Sequence, residues 1–179
     1  LTVAENSPVC CRLHLERAIS QSQLVQDITL YPHSRRIDFA THIDWHEQHV
    51  LLKAAFPVDI CADRAQYDIQ FGSIARDTHT NTSWDEARFE VCAHKWADLS
   101  EPGYGAALLN DCKYGYKVFG TTLDLCLLRV RDLRLKGFLL IRQRFHSGIQ
   151  LGIGHVDEQP IQHIALLPAH RIHTLLQLQ

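Results

Sequence analysis

Through most of the first 130 residues, apolar and polar side chains exchange places at every second position. That is the period of a strand with one face buried. Cys11, Leu13 and Leu15 alternate with Arg12, His14 and Glu16, and Ile28 and Leu30 flank Thr29. Ile37, Phe39 and Ile43 share a face opposite Asp38, His42 and Asp44. The same alternation sets Tyr67, Ile69 and Phe71 against Asp68 and Gln70, and Phe89 and Val91 against Arg88 and Glu90. It returns with Leu123, Leu125 and Leu127 against Thr122, Asp124 and Cys126. Turn signals such as Glu101-Pro102-Gly103 and Phe119-Gly120-Thr121 separate the runs. Short strands joined by loops predict an all-β fold, a β-sandwich, with helix scarce before residue 130. From Arg131 the chain becomes basic and irregular in period, and four of its twelve histidines fall between His155 and His173. Residues from about 131 are expected to be poorly packed, because they lack strand alternation and turn punctuation.

A chain of 179 residues is long enough for one domain with a sizeable core. Apolar residues make up 46% and charged residues 21%, which is ordinary globular usage. No apolar run approaches the roughly 18 residues of a membrane span. The net charge of -2 gives no electrostatic reason to expect nucleic acid or an anionic membrane as a partner. The six cysteines, Cys10, Cys11, Cys61, Cys92, Cys112 and Cys126, show no CxxC spacing and read as reduced and mostly structural. The absence of methionine, together with a start that lacks a signal segment, reads as an internal fragment of a longer protein.

Three clusters carry candidate chemistry. In Thr41 to His49, His42, Asp44 and His46 share a strand face; a metal site and a polar strand end both fit, although the His-Glu-x-x-His spacing of a zinc helix is missing. Trp84 and Trp96 stand beside Asn, Asp and Lys, and each reads either as a sugar-stacking ring or as a core or interface anchor. Asp85 and Glu90 are not taken as a glycosidase carboxylate pair, since Glu90 has the pattern of an outward strand residue. The third cluster is Leu108 to Gly120. There Asn110, Asp111 and Lys113 and the aromatics Tyr114 and Tyr116 interrupt an apolar strand, as a binding loop or a solvated hairpin would.

RIDFATHIDWHEQHVLLKAAFPVDI (Arg36 to Ile60), the run from Tyr67 to Tyr116 and LVQDITLY (Leu24 to Tyr31) closely resemble the carboxy-terminal domain of glycoside hydrolase family 38 alpha-mannosidases of the cytosolic and bacterial type. The resemblance covers roughly residues 9 to 129. It implies a galactose-mutarotase-like β-sandwich that packs on an amino-terminal catalytic domain. It also implies a retaining, exo-acting hydrolase of terminal alpha-linked mannose, cytoplasmic, whose substrate is a mannose-containing oligosaccharide. The zinc ion and the aspartate nucleophile of such an enzyme belong to the amino-terminal domain, so no catalytic residue, metal ligand or cofactor is assigned within this chain. Homo-oligomerisation stays open. Asn110, Asp111, Lys113 and Tyr114 are the candidates for the rim of the mannose site. After Leu127-Leu128-Arg129 the resemblance ends: the family's proline-rich acidic stretch and alternating His-x-Phe-x-Tyr strand do not follow. The chain is therefore divided into an incomplete sandwich, 1–130, and an aberrant or divergent tail, 131–179. A non-catalytic carbohydrate-binding sandwich and a structural remnant of a broken gene are the rival readings.

Overall fold

The computed structural model of the chain describes residues 1–129, 138–147 and 176–178, with side chains over 1–129. Twelve strands fall in the first 129 residues: β1 (Thr2–Asn6), β2 (Cys11–Ile19), β3 (Ser22–Leu30), β4 (Arg36–Asp44), β5 (Leu51–Pro57), β6 (Arg64–Ile69), β7 (Gly72–Asp77), β8 (Val91–Cys92), β9 (Trp96–Glu101), β10 (Tyr104–Asn110), β11 (Gly115–Phe119) and β12 (Thr122–Arg129). Two more follow, β13 (Phe138–Ser147) and β14 (Leu176–Leu178). The one helical element among the described residues is α1 (Ser83–Glu86). A nine-stranded sheet runs β1-β2-β3-β4-β13-β10-β9-β6-β7, and a five-stranded sheet runs β14-β5-β12-β11-β8. All pairings are antiparallel. The fold is the all-β sandwich that the alternation predicts.

One core cluster joins the sheets. Leu24, Ile28, Phe39, Ile43, Leu99 and Leu108 enter it from the larger sheet, and Leu52, Phe56, Tyr116, Leu123, Leu125 and Leu127 from the smaller. Alternate residues bury because the pleat aims them at one side. Each large side chain removed from water there contributes roughly 1.5–3 kcal/mol. Phe39 meets Phe56 edge-on across the interface at 5.4 Å. The Val118 N–H donates to the Tyr67 hydroxyl at 3.1 Å, which satisfies a donor that burial would otherwise strand. Gly120 closes the β11–β12 hairpin at φ 56, a region that glycine enters without steric cost.

Three expectations need correction. Phe71 does not share the buried face of Tyr67 and Ile69: β6 ends at Ile69, and Phe71 occupies the hairpin turn at φ 62, fully exposed. Phe89 is also exposed, because the strand that follows it starts only at Val91. The third correction concerns the tail. Residues 138–147 form β13, in the middle of the nine-stranded sheet, paired with β4 from Asp44 to Arg36 and with β10 from Ala106 to Asn110. Backbone pairing with β4 along residues 138–146 and with β10 along residues 143–147 ties this segment into the sheet, although Phe138 to Ile141 form a continuous apolar run rather than an alternating one. The rest of 131–179 lies outside the described residues, apart from β14.

Candidate functional site

The candidate loop, residues 111–114, joins β10 to β11 at one end of the sandwich, beside the segment 93–95 that leads into β9. Backbone bonds lock the two together: the Ala93 N–H donates to the Tyr114 carbonyl and the Asn110 N–H to the Lys95 carbonyl, each at 2.9 Å. Asp68, near the end of β6, holds the neighbouring segment. Its carbonyl accepts from the His94 N–H, and its carboxylate accepts from the Lys95 N–H at 2.9 Å.

Within this frame the four candidates separate. Asn110 is buried as the last residue of β10. Its side-chain carbonyl accepts from the Cys112 N–H at 3.0 Å and from the Lys113 N–H, and its amide donates to the Tyr116 hydroxyl. It is therefore the bracket of the turn, an Asx-type closure. Asp111 and Tyr114 are exposed and Lys113 is half-buried. The Tyr114 ring stacks on His94, centroids 5.8 Å apart and planes 21° from parallel. The loop thus offers a carboxylate, an ammonium group and a braced aromatic face. Tyr116 does not belong to it: on β11 the alternation turns this ring into the core, where burial pushes its hydroxyl pKa upward.

The other clusters fall apart as sites. His46 pairs with Asp44 at 3.1 Å, while the Glu47 carboxylate accepts from the Gln21 N–H at 2.8 Å and the Ser22 hydroxyl at 3.0 Å. These contacts tie the β2–β3 turn to the β4–β5 connection. Asp85 accepts from the Thr82 hydroxyl, which holds its carboxyl below the usual range, while Glu90 is 2.6 Å from the Lys53 ammonium. Asp85 and Glu90 are thus committed to different partners. Trp96 is half-buried, whereas Trp84 is 80% exposed on α1 and is no core anchor. Near it, Arg76, Glu90, Lys117 and Tyr67 line a cavity of about 30 Å³, room for about one water. Among the described residues no group of three or more His, Cys, Asp or Glu side chains is arranged to hold a metal ion, and no helix is long and apolar enough to cross a membrane.

Two sets of buried polar groups went unsuspected in the sequence. On the outer face of the five-stranded sheet, Lys53 is 2% exposed, and beside it burial raises the Asp124 carboxyl and pushes the Cys126 thiol up to about 11. On β9, Asp98 is 5% exposed; it accepts from the Ser100 hydroxyl at 2.6 Å, and burial raises its pKa. Strand alternation places such residues outward, and it carries no sign of what then covers them.

The family model described as glycosyl hydrolases family 38 C-terminal domain matches residues 1–131. Among curated proteins, the chain is 48% identical over 132 residues to Alpha-mannosidase G of Dictyostelium discoideum, covering 71% of this chain and 12% of that protein. It is 54% identical over 108 residues to Alpha-mannosidase 2C1 of Homo sapiens, covering 60% and 10%. The chain thus spans about a tenth of the length of these relatives. The crystal structure of an alpha-mannosidase from Enterococcus faecalis V583 superposes with a TM-score of 0.71 at 14% identity, over 82% of this chain and 21% of that one. That likeness is one of fold.

Proposed function

The chain belongs to the glycosyl hydrolase family 38 C-terminal domain family, and on that premise we propose that it is the β-sandwich of a larger alpha-mannosidase. The whole enzyme is a retaining, cytoplasmic exo-hydrolase of terminal alpha-linked mannose in oligosaccharides, and this domain packs on its catalytic domain. Two carboxyl groups about 5 Å apart run such a reaction. None of the residues above is given that role. The family resemblance assigns the zinc ion of such an enzyme to the catalytic domain as well.

What this sandwich supplies is a rim. Asp111, Lys113 and Tyr114 belong to a loop whose backbone is fixed by Asn110, Ala93 and Lys95, and a fixed loop avoids the backbone part of the ordering cost on binding. A carboxylate and an ammonium group hydrogen-bond sugar hydroxyls, and an aromatic ring packs on the apolar face of a sugar. The observation that carries the reading is the Tyr114 ring, exposed yet held against His94.

The test is Lys113→Ala in the full-length enzyme. A hydrogen bond to a charged group contributes about 1.5–3 kcal/mol, so kcat/KM for an aryl alpha-mannoside falls roughly ten- to hundredfold while Tm stays unchanged. Normal kinetics overturn the rim reading. Loss of stability together with activity makes the loop an interdomain brace.

A further inference from the structure

The nine-stranded sheet contains a one-strand groove between β4 and β10. β3 holds the other edge of β4, and β9 holds the other edge of β10. Without β13 the sheet would divide into β1-β2-β3-β4 and β10-β9-β6-β7, each with a row of unpaired N–H and C=O groups along one edge. The family match stops at residue 131, and β13 starts at Phe138. The occupant of the groove therefore lies wholly outside the matched sequence.

From this we infer that the groove is a strand-acceptor site. It takes an extended segment of about ten residues through backbone pairing and a period-two row, and in this protein residues 138–147 fill it without family sequence. The register supports the assignment. Leu139, Ile141, Gln143 and Phe145 fall opposite Ile43, Thr41, Phe39 and Ile37, while Phe138, Leu140, Arg142, Arg144 and His146 fall opposite Asp44, His42, Ala40, Asp38 and Arg36. Directly opposed positions of an antiparallel pair share a face. The register thus puts three apolar residues and one amide at the positions opposite the row that contains the core residues Phe39 and Ile43, and the three basic residues, together with Phe138 and Leu140, at the positions opposite the other row. Connectivity also permits it. Arg129 pairs with Leu51 and Phe138 pairs with Asp44, so both flank the short β4–β5 connection. Residues 130–137, at about 3.3 Å each when extended, easily cross the roughly 10 Å between packed sheets.

Such a site binds main chain first and side chains second, as other strand-addition sites do. Its ligand is an extended peptide, and here that peptide is the chain's own segment. The experiment places a protease site within residues 131–137 of the full chain and cuts the folded protein. The carboxy-terminal piece is expected to co-elute with the body under native conditions. An excess of labelled peptide spanning Phe138–Ser147 then displaces it slowly, whereas a peptide of the same composition with its alternation shifted by one residue does not. Immediate loss of the piece from a body with unchanged amide exchange in β4 and β10 overturns the inference, and so does equal uptake of the shifted peptide. In the uncut chain, Ile141→Pro removes a pairing group from the middle of β13. Exchange in β4 and β10 is expected to rise together by about tenfold or more, with the β6–β7 hairpin little altered. Unchanged exchange in both strands would count against the site.

Discussion

The two faces of the five-stranded sheet are chemically opposite, and the outer one is less completely buried. On the inner face Leu123, Leu125 and Leu127 of β12 meet Leu52, Ala54 and Phe56 of β5, all at most 4% exposed. On the outer face the same two strands present Asp124, Cys126, Lys53 and Ala55, of which Lys53 and Ala55 are 2% exposed. Burial on the inner side follows from the sandwich itself and needs only apolar volume. Burial on the outer side confines charge, and the Lys53–Glu90 pair at 2.6 Å answers it. Gly115 also serves this face: a β-carbon there would stand 3.1 Å from the Cys126 β-carbon, so a larger residue would have to push Cys126 aside by a few tenths of an ångström. The two faces are therefore buried for different reasons, and substitutions separate them.

Leu125→Ala tests the inner face and carries the largest expected effect. It removes a fully buried side chain from a core that relaxes only in part, at a cost of about 3–4 kcal/mol. Chemical denaturation of this chain measures it, and a cost below about 1 kcal/mol would mean that the inner face is loosely packed. Lys53→Met tests the outer face. It keeps the apolar stem and removes the ammonium, leaving Glu90 without its partner. The Glu90 side chain is 27% exposed and water takes over part of the charge, so the cost is about 1–2 kcal/mol rather than the several expected for a sealed pair. A stabilised variant would show that the pair is dispensable and that apolar burial serves both faces alike.

Asp98→Asn extends the comparison to the other sheet and has the smallest effect. Burial raises the folded pKa of Asp98 above the 3.8 of the free carboxyl. The native state then resists ionisation more than the unfolded chain does, and stability falls as pH rises from about 4 through the folded pKa. Asparagine cannot ionise and avoids that loss. The variant is expected to match the parent near pH 3.5 and to exceed it by about 0.5–1 kcal/mol at pH 7. A variant less stable at pH 7 would mean that the carboxylate has a partner that compensates for its burial.

Most of the sandwich was legible because a half-buried strand writes its geometry into the sequence: Ile37, Phe39 and Ile43 form one face of β4, and Leu123, Leu125 and Leu127 the inner face of β12. Alternation does not say where a strand stops. Phe71 and Phe89 continue a rhythm that the backbone had already broken, with a turn in one case and a late strand start in the other. β13 was missed because its first four residues are all apolar and its partners, β4 and β10, are remote in sequence. The candidate loop was found from its composition, but composition does not reveal hydrogen bonds. Asn110 reads like Asp111 on the page, yet one closes the turn from inside and the other projects outward.

The central place of β13 also orders events in time. Twelve strands leave the ribosome before it, and at about 5–20 residues per second the two halves of the nine-stranded sheet wait on the order of a second for residue 147 to follow residue 129. In that interval the facing edges of β4 and β10 stand open to any extended chain nearby, nascent neighbours on the same message included. The strand that joins the sheet is the one made late, so the domain's own contacts do not close these two edges until residue 147 has been made.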